Sequence, residues 1–286
     1  MDNCLETRLK KDLAGNGLVT LGALQIKVHA GTNSKYLNFG CSAPVVAKVV
    51  SGNGHIGESE NDITHTEITY SAIANNNMWF ESADYVVEIQ SKYGIYKISA
   101  LYQNNTAWGI DLNSLAFNPI ISQIWIRGPY NSGDIKSVAD CPGIYIVADP
   151  SNYDNDIHGD IACFAGKNIA GVTSAKMFVI KNSKNVFGDI ANLNVSDVKT
   201  FDISHTNISG DIKDVTLAIA SPAVLFVDDT NVGGTLESLA SKLAQVYGNN
   251  EKLTIHALSS NMTYNGEPIT ATKEVTFIGG GEYVVN

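Results

Sequence analysis

Three sets of residues combine chemical character with regular spacing. The first is Gly52-Asn53-Gly54-His55-Ile56-Gly57, a GxGxxG match preceded by the apolar run Val45–Val50. Glycines at this spacing let a backbone wrap a pyrophosphate, provided a helix comes next and turns its N-terminus to the phosphates. The next residues are instead Glu58-Ser59-Glu60-Asn61-Asp62, whose carboxylates repel phosphate, so the segment reads as a surface loop. The second set is the acid of a recurring Gly-Asp-Ile tripeptide: Asp134, Asp160, Asp189 and Asp211. Stacked carboxylates can hold calcium, which takes oxygen ligands. An Asp after Gly can also cap the adjoining turn through its own side chain. Calcium-binding repeats are richer in Gly and Asp per turn, which favours capping here. The third set is six histidines (His29, His55, His65, His158, His205, His256) and four cysteines (Cys4, Cys41, Cys141, Cys163). They form no HExxH, no CxxC and no zinc-like offset, and the cysteines read as small buried hydrophobes. No GxSxG elbow or carboxylate pair stands out. The sequence therefore points to no catalytic residue, no metal and no cofactor.

The elements that would position these residues emerge from the repeat. Gly-Asp-Ile begins at Gly133, Gly159, Gly188 and Gly210, with a degenerate Gly234-Thr235-Leu236, so the intervals are 26, 29, 22 and 24 residues. Three residues after each Ile or Leu comes another apolar side chain: Val138, Phe164, Leu193, Val215, Leu239. Ahead of each Gly lies a short β-prone run: Ile124–Ile126, Ile144–Ile146, Phe178–Ile180, Phe201–Ile203 and Leu225–Val227, with Leu253–Ile255 and Val275–Phe277 continuing the series. Alternate residues of a strand face opposite ways. Phe201 and Ile203 then point inward, and the residues beside them form two outward columns. One reads Trp125, Tyr145, Val179, Asp202, Phe226, Thr254, Thr276. The other reads Arg127, Val147, Lys181, Ser204, Asp228, His256, Ile278. From these, Trp125, Arg127, Tyr145, Lys181, Asp202, Phe226, Asp228 and His256 are the candidate partner-binding residues. Large outward aromatics either meet a partner or are covered by another part of the assembly. Leu236 to Val246 has helical apolar spacing, and Gly279-Gly280-Gly281 ends the array without an obvious cap.

The clearest unit, Val198 to Ile212, resembles the LxxLxLxxNxLxGxI pattern of leucine-rich-repeat proteins, especially the plant-type variant. Val198, Phe201, Ile203, Ile208 and Ile212 take the Leu places and Gly210 the Gly place. Thr206 stands where the family has Asn, which puts the usual side-chain ladder of that turn in question. The resemblance implies a solenoid of about seven coils and a role in binding other proteins.

Residues 1–105 show no repeat. Their strand-like runs are Leu18–Leu24, Gln25–Val28, Val45–Val50, Ile68–Tyr70, Tyr85–Ile89 and Ile95–Leu101. Tyr85–Ile89 and Ile95–Ile98 flank Ser91-Lys92-Tyr93-Gly94 and read as a hairpin, while Asn75-Asn76-Asn77 reads as a polar loop. The expected fold is mainly β: a small all-β anchoring or capping domain over 1–105, then a leucine-rich-repeat-like solenoid over 106–286. The formal charge of −10 disfavours nucleic acid as a partner. The opening residues carry no export signal, and no apolar run nears the ~20 residues that span a bilayer, so membrane insertion is not expected.

Cys4-Leu5-Glu6-Thr7-Arg8-Leu9-Lys10 and then Leu18 to Val28 are similar to the start of structural proteins, head-fibre or tail, of crAss-like phages of gut Bacteroidales. That resemblance implies a virion location, with assembly in the host cytoplasm. The expected function is a non-enzymatic virion structural protein: a head fibre, capsid decoration or tail-associated attachment protein. Its first domain anchors and its solenoid projects. The expected partners are capsid or other virion proteins, or a host surface protein or glycan, and the expected state is a homo-oligomer. The alternative is a bacterial surface adhesin or a protein- or glycan-recognition module on the same solenoid, which the missing export signal disfavours.

Overall fold

The computed structural model describes residues 22–30, 36–42, 44–73, 75–91, 95–100, 108–117, 121–148, 156–171 and 176–286. The first residues of the Leu18–Leu24 run, the 92–94 turn, Cys4 and the 4–10 segment lie outside them. The chain is mainly β and divides into two units, Met1–Ser122 and Gln123–Asn286.

The first unit has ten strands among its described residues: β1 (Gly22–Val28), β2 (Tyr36–Cys41), β3 (Val45–Gly52), β4 (Ile56–Gly57), β5 (Ile63–His65), β6 (Glu67–Tyr70), β7 (Asn76–Phe80), β8 (Tyr85–Ser91), β9 (Ile95–Ala100) and β10 (Trp108–Ile110). One antiparallel sheet runs β10-β1-β8-β3-β6 and the other β9-β2-β7-β4-β5. Alternating side chains make the core: Leu24, Ile26 and Val28 from β1, Val87 and Ile89 from β8, Leu37 and Phe39 from β2, Met78 and Phe80 from β7. Ring contacts join the two sheets, Phe39 to Tyr70 at 5.3 Å and Phe80 to Trp108 at 5.1 Å between centroids.

Three local expectations are corrected here. The Tyr85–Ile98 hairpin does not form. Strand β8 has β1 on one edge and β3 on the other, with seven pairs in the β1 register alone, so no edge is left for β9, which pairs with β2. Asn76 and Asn77 belong to strand β7 rather than a loop; Asn76 is buried, and its Nδ2 donates to the Ser71 carbonyl at 3.0 Å. The 52–62 loop contains β4, and no helix comes after the glycines. A Cβ at Gly54 would sit 2.1 Å from Cδ1 of Tyr85, so this glycine admits a tyrosine ring rather than a phosphate.

The second unit is built from two ladders. One holds β11 (Gln123–Arg127), β13 (Gly143–Val147), β15 (Ile169–Ala170) and β16 (Met177–Lys181), β18 (Asn194–Asp202), β20 (Thr216–Phe226) and β22 (Glu251–His256), with parallel pairing throughout. The other holds β12 (Gly133–Asp134), β14 (Ile157–Asp160), β17 (Ser183–Asp189), β19 (Thr206–Asp211), β21 (Asn231–Thr235) and β23 (Asn261–Tyr264), also parallel throughout. The chain alternates between the ladders. Both ladders then end by reversal: β24 (Glu267–Pro268) is antiparallel to β23, β25 (Lys273–Gly279) to β22, and β26 (Glu282–Val285) to β25. Val275–Phe277 is thus a returning strand, and the Gly279–Gly281 turn closes the array.

Every apolar position of the repeat is buried, including Ile135, Ile161, Ile190, Ile212 and Leu236 and the residues three further on, Val138, Phe164, Leu193, Val215 and Leu239. After each Gly-Asp the chain makes a 3-10 turn, at Ile135–Val138, Ile161–Phe164, Ile190–Asn192 and Ile212–Asp214. The Asp caps it: Oδ1 of Asp134, Asp160, Asp189 and Asp211 accepts from the N–H two residues on, at 2.9, 2.8, 3.0 and 3.1 Å. In the fifth copy Thr235 does the same for helix α1 (Leu236–Ala244), accepting from Ser238 N at 3.1 Å. The glycines answer to these caps. Gly159, Gly188, Gly210 and Gly234 have φ of +134, +120, +101 and +93°, and a Cβ on each would lie 2.2–2.3 Å from Oδ1 of the preceding Asp. Each Gly therefore makes room for its predecessor's capping carboxylate.

Candidate functional site

The strands of the β11–β22 ladder carry seven of the eight candidate residues, and Asp228 lies two residues past β20. The ladder's register is Trp125–Tyr145–Val179–Asp202–Phe226–His256, one residue per strand. Trp125 and Tyr145 are half-buried, with ring centroids 4.9 Å apart. Phe226 and His256 are also half-buried and stack at 4.4 Å with planes 17° apart. Arg127 lies beyond Trp125 and pairs in register with the buried Val147.

The repeat spacing puts His256 in the column of Asp228, and the structure corrects this. Leu225 pairs with Ile255 rather than Leu253, so the last parallel strand is shifted by two residues and His256 faces Phe226. A slip of two keeps inward residues inward, so the hydrophobic pattern cannot detect it. Thr254 pairs with Val224, and Thr276 pairs with Lys252 across the antiparallel β25, so neither continues the aromatic column.

The polar members of the face are engaged in structure. Asp202 is buried rather than exposed: its Oδ2 accepts from Lys181 Nζ at 2.6 Å, and its Oδ1 from Ser204 Oγ at 2.6 Å and Ser204 N at 3.1 Å. Its backbone alternates as expected, but its side chain is held between Val179, itself buried, and Phe226 in register. Asp228 Oδ1 accepts from Leu258 N at 2.7 Å, tying the chain just past β20 to the chain just past β22. His256 Nδ1 lies 3.2 Å from Thr272 Oγ1.

A second column, unnoticed in the sequence, turns the corner beyond this face. Asn182, His205, Asp229 and Ser259 all have left-handed backbones, at φ of 64, 57, 50 and 57°. His205 Nδ1 and Lys184 Nζ approach Asp229 Oδ2 at 3.1 and 3.0 Å. Burial works to raise the Asp229 carboxyl, but the hydrogen bonds from His205 and Lys184 outweigh it and hold the group below its ordinary range. Hydroxyls come next in the chain. Thr206, Thr230 and Ser260 donate to the carbonyls of Ile203, Val227 and Ala257 at 2.8, 2.8 and 2.7 Å, and accept from Ile208, Val232 and Met262 N. Asn131 makes the same bond to the Gly128 carbonyl at 3.3 Å. A hydroxyl ladder thus stands where the repeat pattern has asparagine. The signal was the alignment of Thr206, Thr230 and Ser260 one residue after the left-handed positions.

Cys141 and Cys163 are poor nucleophiles. Burial pushes the Cys141 thiol up to about 12, and burial with the nearby Asp134 and Asp160 charges pushes Cys163 up to about 11. Among the described residues no group of three or more His, Cys, Asp or Glu is placed to hold a metal ion, and no helix is long and apolar enough to cross a membrane. No protein-family profile, curated protein or solved structure matches the chain.

Proposed function

We propose that the second unit is a leucine-rich-repeat-like solenoid of about seven coils, the last folded back as an antiparallel cap, and that the chain is a non-enzymatic virion structural protein. The observation that carries the binding role is the state of the outward face. Its aromatic side chains are paired in register and half-exposed, while Asp202 is held by hydrogen bonds within the sheet and Asp228 accepts one from Leu258 N. Rigid, partly covered rings gain by further burial against a partner. Parallel strands stacked in register, with an inward apolar pair from each, support the solenoid reading.

The virion assignment rests on the likeness of Cys4–Lys10 and Leu18–Val28 to structural proteins of crAss-like phages. In this reading the first unit anchors and the solenoid projects as a head fibre, capsid decoration or tail-associated attachment protein. Its partners are virion proteins, or a host surface protein or glycan. Phage particles banded from the source culture are expected to contain the chain at a fixed ratio to the capsid protein. Light scattering after size exclusion is expected to give a dimer or trimer that persists on dilution. A monomer that is missing from every particle fraction would overturn the virion assignment and leave a free recognition module.

A further inference from the structure

One ion pair is set apart by its surroundings. Lys181 Nζ lies 2.6 Å from Asp202 Oδ2, and the acid's side chain is only 5% exposed. Seven other lysine–carboxylate pairs among the described residues have acids 33% to 88% exposed. The two residues sit on neighbouring parallel strands, β16 and β18, 21 residues apart in the chain. We propose that they condense into an isopeptide bond that locks β16 to β18.

The arrangement supplies what the reaction needs. The amine nitrogen is held against the carboxyl group, and such fixed placement is equivalent to about 10⁵–10⁸ M of reactant. That offsets the unfavourable equilibrium of making an amide in water. Both Ser204 donors converge on Oδ1, at 2.6 and 3.1 Å, where negative charge collects as Nζ adds to Cγ. The reacting form is the neutral pair, reached when the proton in the 2.6 Å contact passes from Nζ to Oδ2 and frees the nitrogen lone pair. The Nζ–Cγ bond forms and the Cγ–Oδ2 bond breaks. The nitrogen keeps one of its three protons, and the other two leave with Oδ2 as water. An ammonium and a carboxylate become an amide and a water, so no oxidant or co-reactant is required. The same geometry explains why a face otherwise suited to binding buries a carboxylate at its centre.

The inference does not depend on the virion reading. It is tested by the intact mass of the purified, denatured full-length chain. The wild-type protein is expected to be lighter than its sequence by one water, and fragmentation is expected to yield a branched peptide joining positions 181 and 202. Lys181→Arg, which keeps the charge but not the primary amine, is expected at full mass, as is Asp202→Ala. A mixture of two wild-type masses that drifts to the lighter one on incubation also supports the bond. Folded wild-type chain that stays at its full sequence mass overturns the proposal whatever the variants do.

Discussion

Gly210 is a point where one added methyl meets two obstacles. Its φ is +101°, and a Cβ would fall 2.3 Å from Oδ1 of Asp189, which is committed to capping the preceding turn. Gly210→Ala is expected to destabilise the unit by about 1–3 kcal/mol, measured by urea unfolding. Gly166, at φ +73° with open space around it, carries the backbone penalty alone, so Gly166→Ala is expected to cost less. Equal losses would mean that the clash with the Asp has no weight. Thr206 allows a cleaner test. It is fully buried and satisfies both the Ile203 carbonyl and the Ile208 N–H. Thr206→Ala leaves both groups without that partner, at an expected cost of about 1–3 kcal/mol. Thr206→Asn is expected to recover part of it, because Asn131 already makes the equivalent bond to Gly128. If Asn is no better than Ala, the two side chains do not serve the same purpose.

At the scale of elements, what could be read from the sequence depended on whether a pattern repeated. The Gly-Asp-Ile turns were legible because each position recurs with the same burial and the same cap, down to Thr235 replacing Asp ahead of α1. Register was not, since a two-residue slip at β22 leaves inward Leu253 and Ile255 inward and changes only the neighbour of His256. Strand direction was also hidden: Val275–Phe277 has the composition of a parallel strand yet runs antiparallel. In the first unit, β2 and β7 carry asparagines at Asn38, Asn76 and Asn77, whose side-chain hydrogen bonds hold together strands that composition reads as loop. Electrostatics act on elements too. In Asp211, burial opposes ionisation, but Lys213, through its ammonium and its N–H, prevails and lowers the carboxyl; Asp229 is lowered by His205 and Lys184 against the same opposition. A carboxyl held lower in the folded state adds stability above the unfolded value, near ~3.9, and loses it as pH falls through the folded value. The melting temperature of the second unit is therefore expected to drop between about pH 5 and pH 2, and to drop less in Asp229→Asn. Asn suits that position because it tolerates the left-handed backbone at φ 50°. A variant with an unchanged acid profile would remove Asp229 from the account.

For the molecule as a whole, the decisive feature is how the stack of parallel strands ends. A strand at the end of a ladder exposes a row of N–H and C=O groups and templates further pairing. Here β22 is covered by β25, which is covered in turn by β26, while β24 covers β23 in the other ladder. The cap also closes the apolar interior: Val275 and Phe277 are fully buried, and the Phe277 ring lies 5.4 Å from that of Tyr247, just past α1. Tyr283 on β26 donates its hydroxyl to the Glu237 carbonyl at the start of the same helix. Removing residues 273–286 would therefore bare the β22 edge and the face of α1 together, leaving Leu253 and Ile255 at an open margin. Such a chain is expected to self-associate at concentrations where the intact protein is monodisperse, and to lose the sharpness of its unfolding transition. Light scattering and thermal melts on the two chains, side by side, read both effects. In an array whose members contact only their neighbours, loosening one end propagates inward one strand at a time, so the broadening should be graded. A shortened chain with unaltered association and melting would show instead that the stack needs no cap and that the returning hairpin serves another purpose.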